Sequence, residues 1–290
     1  MKQVLAIVVL VTLTVLFGLW INPPAATIAG WPVLPVAFLI IYVVQGVGFT
    51  HAVYRNTEHF YDLTGSLSFI GASIAAASLA QPLSMHGLVV LAMVIIWALR
   101  LGSFLFVRVR EVGEDQRFRQ IKTSKSRFAL VWTLQGLWVS LTSCAALTAA
   151  LAAKPMSTLS PMAFAAIALG TSVWLLGFVI EVVADRQKAS FRRDPANAGQ
   201  FIQTGLWHRS RHPNYWGEIM LWLGVAITAS PALQGLQWLV WISPLFVYLL
   251  LTRVSGIPTL EKRAKQMWGS DPDYHRYVAA TPRLFPKLFG

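Results

Sequence analysis

Runs of apolar residues separated by short polar stretches recur along the whole 290-residue chain. Several runs approach the ~20 residues that an α-helix needs to cross the hydrocarbon core of a bilayer. They lack the alternation of apolar and polar positions that marks the ~10-residue strands of a membrane β-barrel. We therefore predict an all-α, polytopic integral membrane bundle of about seven or eight transmembrane helices with ordered cytoplasmic loops. The predicted apolar segments are 4–21, 31–50, 64–81, 86–108, 128–151, 160–183, 218–230 and 236–254.

The composition supports a membrane protein, because only 12% of the residues are charged and soluble domains carry about 25%. The net charge of +12 does not indicate a nucleic-acid partner, since the basic residues follow alternate loops and form no stripe on a soluble fold. Cys144 lies in an apolar run, and the chain has no CxxC or HExxH pattern. We therefore expect no disulfide and no bound metal.

The distribution of Lys and Arg predicts the topology, because these residues gather in cytoplasmic loops. With the N-terminus inside, 22 of the 24 Lys and Arg residues are cytoplasmic, whereas Arg100 lies within a helix and Lys154 lies outside. This pattern predicts eight crossings with both termini cytoplasmic, in a membrane that we expect to be a bacterial inner membrane. The segments 218–230 and 236–254 are either two crossings or one broken hairpin. We expect 4–21 to be a retained helix, since the residues after it form a poor signal-peptide cleavage site.

Two cytoplasmic segments, 184–217 and 255–290, are much longer than the usual connection of ~4–6 residues. Both carry Trp and Tyr among Pro and Gly, so we expect them to be ordered. The polar groups of the chain gather at the cytoplasmic helix ends, whereas a transporter places them near the bilayer midplane. A transporter or a non-catalytic scaffold is therefore a weaker alternative to an enzyme.

The stretch GFVIEVVADRQKASFRRDP, residues 177–195, ends a predicted membrane helix. Glu181 and Asp185 are four residues apart, which places them on one face of the helix. An ionisable group at the depth of Glu181 normally faces a cavity or a partner. The basic residues that follow either bind an anionic cofactor or contact anionic lipid headgroups; they are Arg186, Lys188, Arg192 and Arg193.

The stretch SRHPNYWGE, residues 210–218, places hydrogen-bonding groups directly before an apolar run. Pro213 cannot continue a preceding helix and is well suited to the first turn of a new one. Asn214 and Glu218 then lie one turn apart at the start of that helix. Because helix N-termini favour diphosphates, we predict that the stretch holds a nucleotide cofactor at the membrane surface. A loop that contacts lipid headgroups is the alternative.

The sequences TGLWHRSRHPNYWGE and IPTLEKRAKQMWGSDPDYHRYVAATPRLFP resemble the steroid 5α-reductase C-terminal superfamily. The resemblance covers about residues 177–286 and is closest to the bacterial branch of membrane proteins called DUF1295. Relatives in the superfamily are steroid 5α-reductases and sterol C14- and Δ7-reductases, which use NADPH to reduce an activated C=C bond. The resemblance implies an NADPH-dependent oxidoreductase that acts on a steroid-like or other lipophilic enone. The resemblance implies cofactor roles for Asp185, Arg192, Arg211, His212, Asn214, Tyr215 and Glu218. The other predicted cofactor-binding residues are Glu181, Arg186, Arg193 and Trp207.

A second arm of the superfamily contains isoprenylcysteine methyltransferases, which share an RHPxYxG motif and bind S-adenosylmethionine. Asn214 and Glu218 lie where the reductases bind the nicotinamide, and ADRQKASFRRDP resembles the reductase segment that holds the adenosine and phosphates. Glu261 resembles one member of an acidic pair in the methyltransferases. We therefore expect a reductase, with an S-adenosylmethionine-dependent membrane methyltransferase as the alternative.

Reduction of an enone also requires a hydrogen-bond donor at the carbonyl oxygen, for which a protonated acid or a tyrosine is suited. In steroid 5α-reductases a glutamate at a helix start binds the ketone, and Asp62 corresponds to it by resemblance. Asp62 is alternatively a helix N-cap, since Asp is favoured there. Trp97 lies near the position of the reductases' catalytic tyrosine, and Arg100 is a buried cation whose expected partner is Asp62 or a cofactor phosphate. The predicted catalytic residues are Asp62, Tyr61 and Glu218, and the predicted substrate residues are Glu58, Trp97 and Arg100.

These expectations divide the chain into two functional halves. Residues 1–127 provide the helices of the substrate pocket, and residues 128–290 provide the cofactor-binding loops. The expected partners are a lipophilic small molecule and membrane lipids, and the protein is expected to act as a monomer.

Overall fold

A computed structural model describes residues 1–80, 83–112, 118–152, 157 and 159–287. The described chain is almost wholly helical, apart from a two-stranded hairpin. The chain forms two compact units. The first unit comprises Met1–Ala168 and Val225–Ser243, and the second unit comprises Leu169–Gly224 and Pro244–Gly290. The predicted all-α class is confirmed, while the functional division at 127/128 stays a prediction.

The first unit is a bundle in which one helix, α5, packs against each of the four helices that precede it. Apolar residues recur on every side of these helices, as membrane helices require. The central position of α5 agrees with its burial. In an apolar 18-residue stretch of each helix, 72% of the residues are buried in α5, against 17% in α1. The elements are α1 (Lys2–Ile21), β1 (Thr27–Ile28), β2 (Trp31–Pro32), α2 (Val33–Arg55), α3 (Tyr61–Leu79), α4 (Met85–Val112) and α5 (Lys125–Ala152).

The hairpin β1–β2 joins α1 to α2, where the apolar pattern predicted only a loop. Its register pairs Thr27 with Pro32 and Ile28 with Trp31. The turn residues Ala29 and Gly30 have φ angles of 48° and 81°, as a tight hairpin turn requires.

The second unit contains most of the long helix α6 and the start of α8. It also contains the helices that follow the last apolar stretch. A short 3-10 turn at Pro195–Asn197 and a π turn at Leu250–Val254 belong to this unit, whereas the 3-10 turns at Ser230–Ala232 and Gly235–Trp241 belong to the first unit. The helices are α6 (Pro161–Arg193), α7 (Leu206–Arg209), α8 (Pro213–Ala229), α9 (Ile242–Leu249), α10 (Gly256–Trp268) and α11 (Pro272–Ala280).

Glycines bring the backbones of α6 and α8 into close contact. A Cβ atom on Gly217 would lie 2.6 Å from both the Glu181 nitrogen and the Gly177 oxygen. A Cβ on Gly224 would lie 2.5 Å from the Trp174 nitrogen. Small residues at helix crossings allow this approach in membrane proteins. The crossing places the first turns of α8 beside Glu181.

In the described residues, seven helical stretches are long and apolar enough to cross a membrane. The protein is therefore an integral membrane protein, as predicted. The predicted segment 218–230 falls in α8, which has 17 residues and is shorter than the ~20 residues of a perpendicular crossing. Arg117 and Lys154, which the topology prediction used, lie outside the described residues. The seven stretches are Lys2–Ile21, Val33–Arg55, Tyr61–Leu79, Met85–Glu111, Lys125–Ala152, Pro161–Arg193 and Gly235–Trp268.

Candidate functional site

The RHPNY stretch of the sequence forms the start of α8 in the second unit. Pro213 is the first residue of the helix, which confirms the predicted helix start. Arg211 and His212 directly precede it. The backbone N–H of Arg211 donates to the Pro282 oxygen over 2.9 Å, so the C-terminal tail fixes the chain where it enters α8.

Three basic side chains converge on the carboxylate of Glu261, which lies on α10. The Arg211 Nη1 atom is 2.9 Å from Glu261 Oε1, and the Arg283 Nε atom is 3.3 Å from Oε2. The His212 Nε2 atom is 3.5 Å from Oε1, which is too long for a good hydrogen bond. One carboxylate therefore faces two guanidinium groups, and the cluster keeps an excess of positive charge.

His212 is buried, with 6% of its surface exposed. Its ring stacks on Tyr215 with the centroids 5.8 Å apart. Burial lowers the pKa of His212, and the nearby Lys188 and Arg211 lower it further, while Glu261 opposes the shift. The imidazole is therefore neutral near pH 7.

Several polar atoms of this cluster are buried without a hydrogen bond. Among the described residues, His212 Nδ1 and Arg211 Nε have no hydrogen-bond partner. A buried polar atom left without a partner costs about 1–3 kcal/mol. These two atoms are suited to a polar ligand that accepts from Arg211 and donates to the neutral His212 ring.

The C-terminal part of α6 supplies the acidic side of the site. Glu181 and Asp185 are both buried, and their spacing of four residues places them on one helix face, as predicted. The Asn214 Nδ2 atom donates to Asp185 Oδ1 over 3.2 Å. Glu218 lies one turn beyond Asn214 on α8 and is partly buried. The structure thus brings the α6 acids and the α8 amide together.

The basic residues at the end of α6 lie in more open positions. Arg186, Arg192 and Arg193 are exposed. Lys188 turns inward, with its ammonium group 4.5 Å from the centre of the Trp207 ring, a cation–π distance. Lys188 is thus part of the Arg211–His212 cluster, whereas the three arginines are accessible from solvent.

Trp207 links α7 to two other helices through its indole N–H and its backbone carbonyl. Its indole Nε1 donates to the Ala184 oxygen over 3.1 Å. Its own carbonyl accepts a hydrogen bond of 2.7 Å from the Tyr277 hydroxyl. The ring anchors α7 to α6 and supports Lys188.

The C-terminal tail also contacts the site, although none of its residues was among the predicted site residues. Ser210 Oγ donates to the Leu284 oxygen over 2.8 Å, and the Lys287 nitrogen donates to the Arg209 oxygen over 3.0 Å. Arg283, which contacts Glu261, lies in this C-terminal tail. The TPRLFP sequence lies in the stretch that resembles the reductase superfamily. No spacing pattern in the sequence indicated that this tail contacts residues about 70 positions earlier.

The residues predicted to act on the substrate lie in the first unit. Asp62 is in the first turn of α3, whose N-cap residue is Phe60. The alternative that Asp62 caps this helix is therefore wrong, because the helix begins one residue before it. Asp62 Oδ2 lies 3.8 Å from Arg108 Nη2.

The neighbours of Asp62 are fixed by specific contacts. Glu58 is buried, and its Oε2 atom lies 2.5 Å from Lys122 Nζ. The Tyr61 hydroxyl donates to the Val131 oxygen over 3.2 Å. Both contacts connect the corner before α3 to the chain at the start of α5.

Trp97 and Arg100 occupy different environments on α4. Trp97 is fully buried, and its ring meets Phe69 at a centroid distance of 5.2 Å. The Arg100 guanidinium lies 5.2 Å from the centre of the Phe104 ring. The expected pairing of Arg100 with Asp62 stays a prediction. In the described residues, no group of three or more His, Cys, Asp or Glu side chains is arranged to hold a metal ion.

Comparisons with known proteins identify the family without assigning an activity. An uncharacterized protein of Schizosaccharomyces pombe is 27% identical over 143 residues, which is 42% of this chain and 39% of that protein. The chain thus spans about two fifths of that relative's length. No solved structure matches. The profile of the family described as "Protein of unknown function (DUF1295)" matches residues 48–281, so the chain belongs to the DUF1295 family.

Proposed function

We propose that the protein is a membrane-embedded, NADPH-dependent reductase of the activated C=C bond of a lipophilic enone. The observation that carries this proposal is the Arg211–His212 pair at the start of α8, in which His212 is buried and Arg211 is partly buried. Its positive charge is suited to an anionic ligand, and so are the atoms that have no hydrogen-bond partner among the described residues, which are Arg211 Nε and both ring nitrogens of His212. We further propose that this site faces the cytoplasm of a bacterial inner membrane and that the protein acts as a monomer.

The residues of the second unit fit the chemical groups of NADPH. Phosphates are suited to Arg211 and Arg283, because Glu261 balances only part of the charge of these two guanidinium groups. The start of α8 adds the favourable end of a helix dipole. Arg192 and Arg193 are exposed and are suited to a 2′-phosphate, which distinguishes NADPH from NADH.

The α6 acids and the α8 amide are suited to the uncharged parts of the same cofactor. Asp185 and Asn214 already share a hydrogen bond, and together they offer both acceptors and a donor to ribose hydroxyls or a carboxamide. We assign Glu181, Tyr215 and Glu218 to the same region, with Glu218 beside the reacting ring. When bound, NADPH supplies the hydride that reduces the double bond.

The substrate carbonyl needs a hydrogen-bond donor that stabilises charge on its oxygen. The Asp62–Arg108 pair supplies one, because a guanidinium held by a carboxylate donates without first gaining a proton. We assign Tyr61, whose hydroxyl donates to the Val131 oxygen, the role of fixing the start of α3 beside this pair. We assign Glu58 the role of holding this corner through Lys122, and Trp97 and Arg100 the role of lining the path of the substrate.

The direct test measures which nucleotide the detergent-solubilised protein carries and binds. Mass spectrometry of the copurified ligand is expected to find NADP(H), and titration is expected to give tighter binding for NADPH than for NADH. Arg211→Gln should weaken NADPH binding at least ~10-fold, because a charged hydrogen bond to a phosphate is lost. The exposed Arg276 of α11 is a matched control, and Arg276→Gln should leave NADPH binding unchanged.

A second candidate is an S-adenosylmethionine-dependent membrane methyltransferase, and one observation favours it. Glu261, which resembles an acid of the methyltransferases, contacts both Arg211 and His212. A carboxylate at this position suits the cationic groups of S-adenosylmethionine. Copurified S-adenosylhomocysteine, together with an absence of NADPH binding, would establish this candidate in place of the reductase.

A further inference from the structure

Glu261 on α10 lies between the two guanidinium groups to which the proposed function assigns phosphates. Its Oε1 atom is 2.9 Å from Arg211 Nη1, and its Oε2 atom is 3.3 Å from Arg283 Nε. The planar N–H groups of arginine match carboxylates and phosphates in the same way, since both anions offer neighbouring oxygens. The carboxylate of Glu261 thus lies where the oxygens of a bound phosphate are expected.

The carboxylate is attracted to this place without forming the hydrogen bonds that the place offers. Among the described residues, Glu261 Oε1 has no hydrogen-bond partner, although Arg211 Nη1 is at ion-pair distance. Arg211 Nε and both ring nitrogens of His212 are unmatched as well. Native structures leave few buried polar atoms in this condition. A phosphate, which has more oxygens to offer, can accept from Arg211 in better alignment and replace the carboxylate.

Glu261 can leave Arg211 without losing contact with water. The Glu261 side chain is 28% exposed, against 18% for Arg211 and 8% for His212. Its second partner, Arg283, is 46% exposed. An enclosed carboxylate that loses its partner strongly destabilises a protein, whereas a carboxylate at the edge of a cluster can turn into solvent. Displacement of Glu261 by a ligand is therefore compatible with the fold.

We propose that Glu261 competes with the phosphate groups of the cofactor for Arg211 and Arg283, and that it leaves Arg211 when these phosphates bind. Glu261 thereby sets the affinity of the site, because the cofactor has to replace an existing ion pair. This inference rests on the proposed function in taking the ligand of this site to carry phosphates.

The consequence for a reductase is a faster exchange of its cofactor. The oxidised and the reduced cofactor carry the same phosphates, so a competing carboxylate weakens the binding of both. Changes of affinity at one site are expressed mainly in the dissociation rate, and product release limits the turnover of many enzymes. Glu261 therefore favours the release of the oxidised cofactor after each turnover.

A role for Glu261 in orienting Arg211 predicts the opposite effect on affinity. A carboxylate that held the guanidinium in its binding position would strengthen phosphate binding, and its removal would weaken that binding. Loss of structure would weaken it too. Only competition predicts that the removal of the Glu261 charge tightens binding, so the sign of the change in Kd decides between these roles.

The experiment titrates NADPH, and separately inorganic pyrophosphate, into the full-length protein in detergent, with calorimetry as the readout. Glu261→Gln keeps the size of the side chain and removes its charge. We expect this variant to bind both ligands about tenfold tighter than the wild type. The lost ion pair and the relieved repulsion between carboxylate and phosphate together correspond to about this factor.

Asp273 of α11 provides a matched control, because it is an acid of the same unit that pairs with the exposed Arg276. Asp273→Asn removes the same amount of charge and should leave both Kd values unchanged. Thermal unfolding reports whether each variant folds. If Glu261→Gln does not fold, Glu261→Asp replaces it, since its shorter side chain holds the carboxylate farther from Arg211 and should tighten binding roughly threefold.

The pyrophosphate titration separates this inference from the proposed reductase. A wild type that binds NADPH, with a Glu261→Gln variant that binds it equally or more weakly, overturns only the competition. An equal gain in Asp273→Asn also overturns it, because the effect would then be one of net charge. Tighter pyrophosphate binding by Glu261→Gln without any NADPH binding supports the competition and contradicts the reductase. Absence of binding of either ligand to all of the proteins contradicts both.

Discussion

Arg211 and Glu261 are paired at 2.9 Å although they are 50 residues apart in the chain. This contact links the entry to α8 with α10, and Arg283 joins it from the C-terminal tail. The pair has two consequences. It holds the Arg211 guanidinium in one place, and it leaves Arg211 Nε buried without a hydrogen-bond partner among the described residues.

We predict that Arg211 and Glu261 are energetically coupled. Arg211→Gln and Glu261→Gln should each lower the unfolding free energy, and the double variant should lose less than the two single losses together. The coupling should be about 1 kcal/mol, because both side chains retain some contact with solvent. Denaturant unfolding of the four proteins in detergent measures it. A coupling of zero would show that the ion pair does not stabilise this region.

The buried His212 should make stability depend on pH. Its pKa in the folded protein is lowered by burial, so the unfolded chain binds more protons than the folded chain in mildly acidic solution. The contribution of His212 is complete above the unfolded pKa of about 6.5 and is lost as the pH falls. Thermal midpoints measured from pH 8 to pH 5 should therefore decline.

Two variants isolate the effect of His212 on this pH profile. His212→Gln should flatten the decline, whereas His208→Gln, at an exposed position four residues earlier, should not. A His212→Gln profile that falls as steeply as the wild type contradicts the assignment.

Gly217 is predicted to be intolerant of any side chain. The Cβ of Gly217→Ala would meet the backbone of α6 at 2.6 Å, which should cost about 1–3 kcal/mol and disturb NADPH binding. Gly71 of α3 is the control, since nothing lies within 4 Å of its Cβ position. Gly71→Ala should stabilise the helix by about 0.5–1 kcal/mol. Thermal unfolding and NADPH titration test both variants, and equal effects would refute the close helix crossing.

The Glu58–Lys122 pair should behave as a buried ion pair. Lys122→Met removes the ammonium group beside a buried carboxylate and should cost about 3 kcal/mol. Adding Glu58→Gln removes the charge that was left behind and should restore most of that loss. Unfolding free energies of the single and double variants measure the effect, and a double variant less stable than Lys122→Met would exclude this explanation.

The sequence predicted the helices well because the membrane imposes a simple rule on them. Apolar stretches of about twenty residues have to be helical in lipid, so the predicted segment 128–151 falls within α5, and all but the first residue of 160–183 falls within α6. Pro213 marked the start of α8 for an equally local reason. The β1–β2 hairpin was missed because its strands are two residues long and show no periodicity.

The site contacts between residues far apart in the chain could not be predicted from the sequence pattern. The spacing of Glu181 and Asp185 predicted their common face, but nothing in the chain indicated that Asn214 donates to Asp185. The contacts of Glu261 with Arg211, His212 and Arg283 depend on how α10 and the tail pack. Asp62 was interpreted as a possible N-cap since acids are common there, whereas the helix begins one residue earlier.

The proposed reductase activity depends on the binding of NADPH by the Arg211–His212 cluster. Titration of NADPH into the detergent-solubilised wild type, Arg211→Gln and Arg276→Gln tests it most directly. We expect saturable binding to the wild type and Arg276→Gln, and binding at least ~10-fold weaker to Arg211→Gln. Absence of NADPH binding to the wild type, or equal binding by all three proteins, would contradict it.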